Sequence, residues 1–122
     1  MSLGEPHCIR LHGPWMLRRD GVDVRLDLPG LVPAGIAGMP ILERSFGKPT
    51  NLVGKSVALA LAGLPAGTRV ELNGKILVPT GEVGFRCGID DALQARNALR
   101  LIFTEQTTPF APFEYVRLEI AG

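Results

Sequence analysis

The sequence predicts an all-β chain, an antiparallel sandwich of about eight short strands. Three observations carry that prediction. Val22, Val24, Leu26 and Leu28 alternate with Asp23, Arg25 and Asp27, the period-two pattern of a strand with one face toward a core and one toward water. Residues 57–77 hold two further alternating segments, the second of which runs into Asn73-Gly74. Both central positions of a type I′ hairpin turn need positive φ, which Asn and Gly tolerate best. Finally, the alternating segments recur at fairly even spacing with no long helical pattern between them and no internal repeat.

Taken in order, residues 8–17 place Ile9, Leu11, Trp15 and Leu17 on one parity, with Gly13-Pro14 interrupting, which predicts a strand with a bend. Residues 22–28 form the second strand. Residues 29–40, PGLVPAGIAGMP, are too broken by Gly and Pro for a helix and unusually apolar for a solvent loop, so this connection is expected to pack over the body of the protein. Residues 41–46 give a third strand. Val57, Leu59 and Leu61 face the core in the next one, whose other face, Ala58, Ala60 and Ala62, is small enough to let another layer approach. That strand is expected to be central. Val70 and Leu72 then lead through Asn73-Gly74 into residues 75–78 as a hairpin. Val83, Phe85, Cys87 and Ile89 alternate, and Asp90-Asp91-Ala92-Leu93 follows as a short helical turn with a carboxylate cap and Leu93 pinned to the core. Leu99, Leu101 and Phe103 define the seventh strand; Val116, Leu118 and Ile120 define the eighth.

The 122 residues fit one domain, with residues 1–7 expected as a disordered or expression-derived start and residues 8–122 as the sandwich. A formal net charge of +1, with arginines scattered among acids, excludes the footprint of a nucleic-acid binder. No apolar run approaches the roughly 20 residues that cross a bilayer as a helix, so no membrane partner is expected. Met1-Ser2-Leu3-Gly4-Glu5-Pro6-His7 lacks the parts of a secretory leader, which leaves a cytoplasmic location as the default expectation. With no secretory context, Cys8 and Cys87 are expected to stay unpaired, Cys87 as a small buried hydrophobe on the parity of Phe85 and Ile89.

Gly13-Pro14-Trp15, Leu28-Pro29, Arg44-Ser45-Phe46, Val57-Ala58-Leu59, Val70-Glu71-Leu72-Asn73-Gly74-Lys75, the apolar strand of residues 85–93 ending in Asp and a turn, and Asn97-Ala98-Leu99-Arg100-Leu101 follow one another in a telling order. Together, over residues 9–120, they resemble the N-terminal sugar-binding, jelly-roll domain of family 2 glycoside hydrolases, the β-galactosidase and β-glucuronidase group. The resemblance implies a galactose-binding-domain-like jelly roll. It departs between Leu77 and Phe85, where VPTGEVG (residues 78–84) stands in place of an aromatic, glycine-rich segment that carries sugar contacts. The catalytic carboxylates of that family belong to a separate barrel domain, so the resemblance implies a detached accessory domain and no enzyme. Leu72-Asn73-Gly74-Lys75 also loosely resembles forkhead-associated domains, without their arginine-serine recognition loops.

Local chemistry points the same way. Asp90-Asp91 is the adjacent acidic pair, and its place before Ala92-Leu93 suits a turn better than a glycosidase dyad. His7, Cys8 and His12 need distant residues to complete a metal set, and a solvent-facing strand position explains His12 more simply. Lys48-Pro49-Thr50 lacks the glycine spacing of a phosphate loop. No metal and no cofactor is therefore expected.

Three classes of function remain. The leading one is a non-catalytic carbohydrate-binding module in which Trp15, Phe110, Phe113 and Tyr115 stack on sugar and Arg44 donates hydrogen bonds. Core packing competes for Trp15, which shares parity with Ile9, Leu11 and Leu17, and intramolecular packing competes for Phe110 and Phe113 in their Pro-rich connection. The second is a protein-interaction or homo-oligomerising module using residues 31–40 and the alanine face. A small hydrolase comes third, since no sequence-local set supplies a nucleophile or acid/base pair.

Overall fold

The computed structural model describes residues 7–11, 14–19, 22–27, 32, 40–78, 85–104 and 109–122. These form ten strands and no helix: β1 (His7–Arg10), β2 (Trp15–Arg19), β3 (Val22–Leu26), β4 (Ile41–Gly47), β5 (Ser56–Ala62), β6 (Arg69–Leu72), β7 (Lys75–Ile76), β8 (Phe85–Gly88), β9 (Arg96–Ile102) and β10 (Tyr115–Ala121). A four-stranded sheet in the order β1-β10-β5-β8 stacks on a six-stranded sheet in the order β3-β2-β4-β9-β6-β7. Every pairing is antiparallel. The fold is a jelly-roll β-sandwich.

Ten strands replace the expected eight for two reasons. Residues 8–17 divide between the sheets, β1 pairing with β10 and β2 with β3 and β4. Pro14, just before β2, has no N–H to give to a ladder, so pairing lapses there. The 69–78 hairpin contributes β6 and β7 separately. His7, expected in the terminal segment, is the first residue of β1.

Alternation sets the core. Leu17, Leu42, Leu72, Leu99 and Leu101 from one sheet meet Leu59, Leu61, Val116 and Leu118 from the other, all buried. Burying each leucine contributes about 1.5–3 kcal/mol, the main force holding the layers together. β5 is central, as its small outer face predicts: Ala58 and Ala60 are buried although they point away from the core. One end of the sandwich is closed by aromatics. Val32 and Phe110 exchange two backbone hydrogen bonds, Phe110 packs edge-on to Phe103 at 5.1 Å, and Phe113 lies 5.3 Å from Trp15. Val32 thus shows the apolar connection packing on the body; residues 29–31 and 33–39 lie outside the described residues.

Asn73 and Gly74 carry φ of 53° and 83°, the two positive values of the expected turn. Gly63 is constrained differently: with φ +76°, a Cβ there would sit 2.7 Å from Glu114 Cγ, so the chain entering β10 can pass only over a glycine. The turn after β8 forms as expected, Leu93 donating to the Ile89 carbonyl at 3.1 Å and packing on the core. Asp90, however, does not cap that turn; its Oδ1 accepts from the Val57 N–H at 2.9 Å and anchors the start of β5. Cys8 is exposed on β1 and Cys87 half-buried on β8, at opposite edges of the same sheet, with no disulfide between them.

Candidate functional site

The five expected ligand residues do not converge. Trp15 is fully buried, wedged against Phe113, which is also buried. A ring with no exposed face cannot stack on a sugar, so the parity that links Trp15 to Leu11 and Leu17 decides its role as core. Its indole Nε1 has no acceptor among the described residues. Phe110 is half-buried against Phe103. Arg44 stands on the opposite sheet, on the inward parity of Leu42 and Phe46, where burial lowers its pKa. It donates to the Ser45 carbonyl at 3.1 Å and lines a groove of about 290 Å³ with Met16 and Glu43. Only Tyr115, at 38% exposure, presents a ring to solvent. Other grooves, of about 410 and 420 Å³, are lined by Thr50 and Lys55 or by Lys75 and Asp91 and include none of the five. His7 is exposed; His12 lies outside the described residues. Among the described residues no group of three or more His, Cys, Asp or Glu could hold a metal ion, and no helix is long and apolar enough to cross a membrane.

The two asparagines of the sequence signature meet each other instead of a ligand. Asn73 Nδ2 donates to Asn97 Oδ1 at 3.0 Å and to the Ala92 carbonyl at 2.9 Å, and its Oδ1 accepts from Ala98 N–H at 2.9 Å. Buried Asn97 also accepts from Gln94 N–H at 2.8 Å and donates to the carbonyls of Gln94 and Phe46 at 2.9 and 3.3 Å. These bonds tie the β6–β7 turn to the segment entering β9. The signature is therefore structural.

Tyr115 leads to an arrangement that sequence reasoning missed. On the outer face of the four-stranded sheet, Arg117 lies over the Tyr115 ring, its Cζ 4.4 Å from the centroid. Glu119, two residues on, accepts from Arg117 Nε at 3.0 Å and Nη2 at 2.9 Å through Oε2, and from Arg86 Nε at 2.8 Å through Oε1. Arg86 reaches from β8 across β5 to do this. The bridge lies over the alanine strand, which is why Ala58 and Ala60 are small and why they are buried. The Glu119 carboxyl is held below its ordinary range, first by the Arg86 bond and then by Arg117, against the opposing effect of burial. On Arg117, burial works against the charge, but the bond to Glu119 and the neighbourhood of Tyr115 and Cys8 outweigh it and raise its pKa. The signal was present in the sequence as charged residues on the outward parity of residues 8–10, 86 and 115–119; their assembly depends on register between distant strands.

No family model matches the chain, and no curated protein matches it. Solved structures do. The chain superimposes on a Bifidobacterium dentium β-glucuronidase with a TM-score of 0.74 at 18% identity, covering 99% of this chain and 31% of that one. A putative β-galactosidase from Bacteroides fragilis gives 0.69 at 20% identity, over 95% of this chain and 23% of that one. A glycosyl hydrolase family 2 member from Bacteroides cellulosilyticus DSM 14838 gives 0.71 at 14%, over 93% and 20%. The fold is that of one portion of the family 2 glycoside hydrolases. The chain spans no more than about a third of these structures, and at such identities the likeness is one of fold.

Proposed function

We propose that the chain is a non-catalytic binding module for carbohydrate, and that its contact surface is the outer face of the four-stranded sheet. One observation carries the reading: Tyr115, the exposed ring of the candidate set, sits beside hydrogen-bonding groups already fixed in place, with Arg117 stacked on it and Arg86 and Glu119 next along the face. A sugar presents an apolar ring face and a rim of hydroxyls, and an aromatic edge beside arginine donors and a carboxylate complements both. The solved neighbours support the ligand class, being enzymes that act on sugars. The non-catalytic part rests on the small share of those enzymes that the chain matches and on the Asp90 carboxylate being engaged by Val57 N–H.

Calorimetric titration with neutral and acidic oligosaccharides tests this. Saturable binding that weakens in Tyr115→Ala is the expected result; no binding across both sets at millimolar concentration contradicts it. The competing reading, self-association through the alanine strand, meets a face covered by the Arg86–Glu119 bridge rather than an open apolar surface.

A further inference from the structure

Charge is laid out differently on the two outer faces. On the six-stranded sheet, charged residues that face each other across strands have opposite sign: Arg18 with Asp23, Glu43 with Arg100, and Glu71 with Arg100. Glu43 bridges Arg18 and Arg100 at 2.9 and 3.2 Å. This is the arrangement of a solvated face. On the four-stranded sheet the directly opposed charged pair is Arg10 with Arg117, two cations. The same cross-strand row continues from Arg117 to Ala60 and on to Arg86.

Arg10, Arg117 and Arg86 therefore stand in one line across four strands, a span of about 14 Å at about 4.8 Å per strand. Among the described residues, one carboxylate serves that face. Glu119 already spends both oxygens on Arg86 and Arg117, and Arg10 is exposed with no ion pair among the described residues. Like charges placed directly opposite work against the sheet. An anion lying along the row would relieve them. The Tyr115 stack and Glu119 bonds hold the Arg117 guanidinium in a fixed plane.

We infer that the row Arg10–Arg117–Arg86 is an anion-recognition subsite, and that the glycan bound on this face is an acidic one bearing sulfate or carboxylate groups. The inference rests on the carbohydrate reading above and adds the ligand's charge. Guanidinium forks suit both oxyanions, which they bind through paired N–H donors.

The test compares four labelled probes by fluorescence anisotropy: a heparin-derived hexasaccharide, a polygalacturonate-derived hexasaccharide, neutral cellohexaose and a poly-glutamate peptide, each against the wild type and Arg10→Glu. Arg10→Glu turns the like-charge pair into an opposite-charge pair, so its melting temperature should hold or rise while acidic-glycan affinity falls by about tenfold or more. Affinity for the acidic hexasaccharides should also weaken steeply with salt. Preference for the sulfated over the carboxylated probe, or the reverse, identifies the group recognised, and either supports the inference. Acidic-glycan affinity unchanged in Arg10→Glu overturns it. Cellohexaose binding as tightly as the acidic probes overturns it and leaves the carbohydrate reading standing. Poly-glutamate binding as tightly as the acidic glycans overturns both.

Discussion

Removing the Asn97 side chain should be among the most damaging single changes to this fold that leave the apolar core untouched. Asn97→Ala deletes four hydrogen bonds, two accepted from Gln94 N–H and Asn73 Nδ2 and two donated to the carbonyls of Gln94 and Phe46. Exposed Gln94 can turn to water, whereas the Phe46 carbonyl and the Asn73 amide lose a buried partner. At about 1 kcal/mol net per bond, plus the cost of groups left unpaired, the loss is about 3–5 kcal/mol. Total stability for a domain of this size is roughly 6–18 kcal/mol, so that is a large share of it. The melting temperature should drop by about 10–20 °C, read by far-ultraviolet circular dichroism and checked by urea unfolding. Gln94→Ala is the control, because only its main-chain atoms take part; it should change stability by no more than about 0.5 kcal/mol. Asn73→Gly keeps the positive φ of the turn while removing the same network from its other side. A double-mutant cycle with Asn97→Ala should show a coupling of about 1 kcal/mol or more. A loss below about 1 kcal/mol for Asn97→Ala, or strict additivity in the cycle, would refute the network as described.

Other consequences are open to direct measurement. Trp15→Ala should cost about 3–5 kcal/mol in urea unfolding, while Trp15→Phe should cost clearly less, because it keeps the packing on Phe113 and removes a buried donor that has no acceptor among the described residues; equal losses would contradict that placement. Gly63→Ala should lower the melting temperature by several degrees, since it combines a strained φ with a Cβ 2.7 Å from Glu114 Cγ; an unchanged melting curve would count against that close approach. For pH, the Glu119 carboxyl is depressed below its ordinary 4.5 in the folded state. Its stabilising contribution is thus complete above that value and is lost as pH falls through the lower folded value. Unfolding followed between pH 7 and 3 should show an acid-side loss that is smaller in Glu119→Gln, and an identical pH profile for the two proteins would be the contrary result.

The strands were legible because their physics is local. Alternation in residues 22–28 and 57–62 states which side chains face inward, and Asn73-Gly74 states its turn without reference to anything distant. The central place of β5 followed from three alanines, and the core role of Trp15 was already present in its parity with Leu11 and Leu17. Other features depend on pairing between remote segments. That residues 8–17 cross from one sheet to the other is decided by which partners β1 and β2 find, β10 in one case and β3 and β4 in the other. Arg44 is readable as inward from its parity with Leu42 and Phe46, while a guanidinium is equally a group that meets a ligand. The arginine row could not be read locally, because Arg10, Arg86 and Arg117 become neighbours only through the register of four strands. Asn73 and Asn97 stand in the sequence as a pattern only, since their contact joins a turn to a separate strand.

The most direct test of the claim that the outer face of the four-stranded sheet is the contact surface is a two-dimensional amide NMR titration with an acidic hexasaccharide. The account predicts saturable shifts confined to Cys8, Arg10, Ala60, Arg86, Tyr115 and Arg117 and their strand neighbours. Shifts centred instead on the groove beside Arg44, or on the β6–β7 turn, would contradict it.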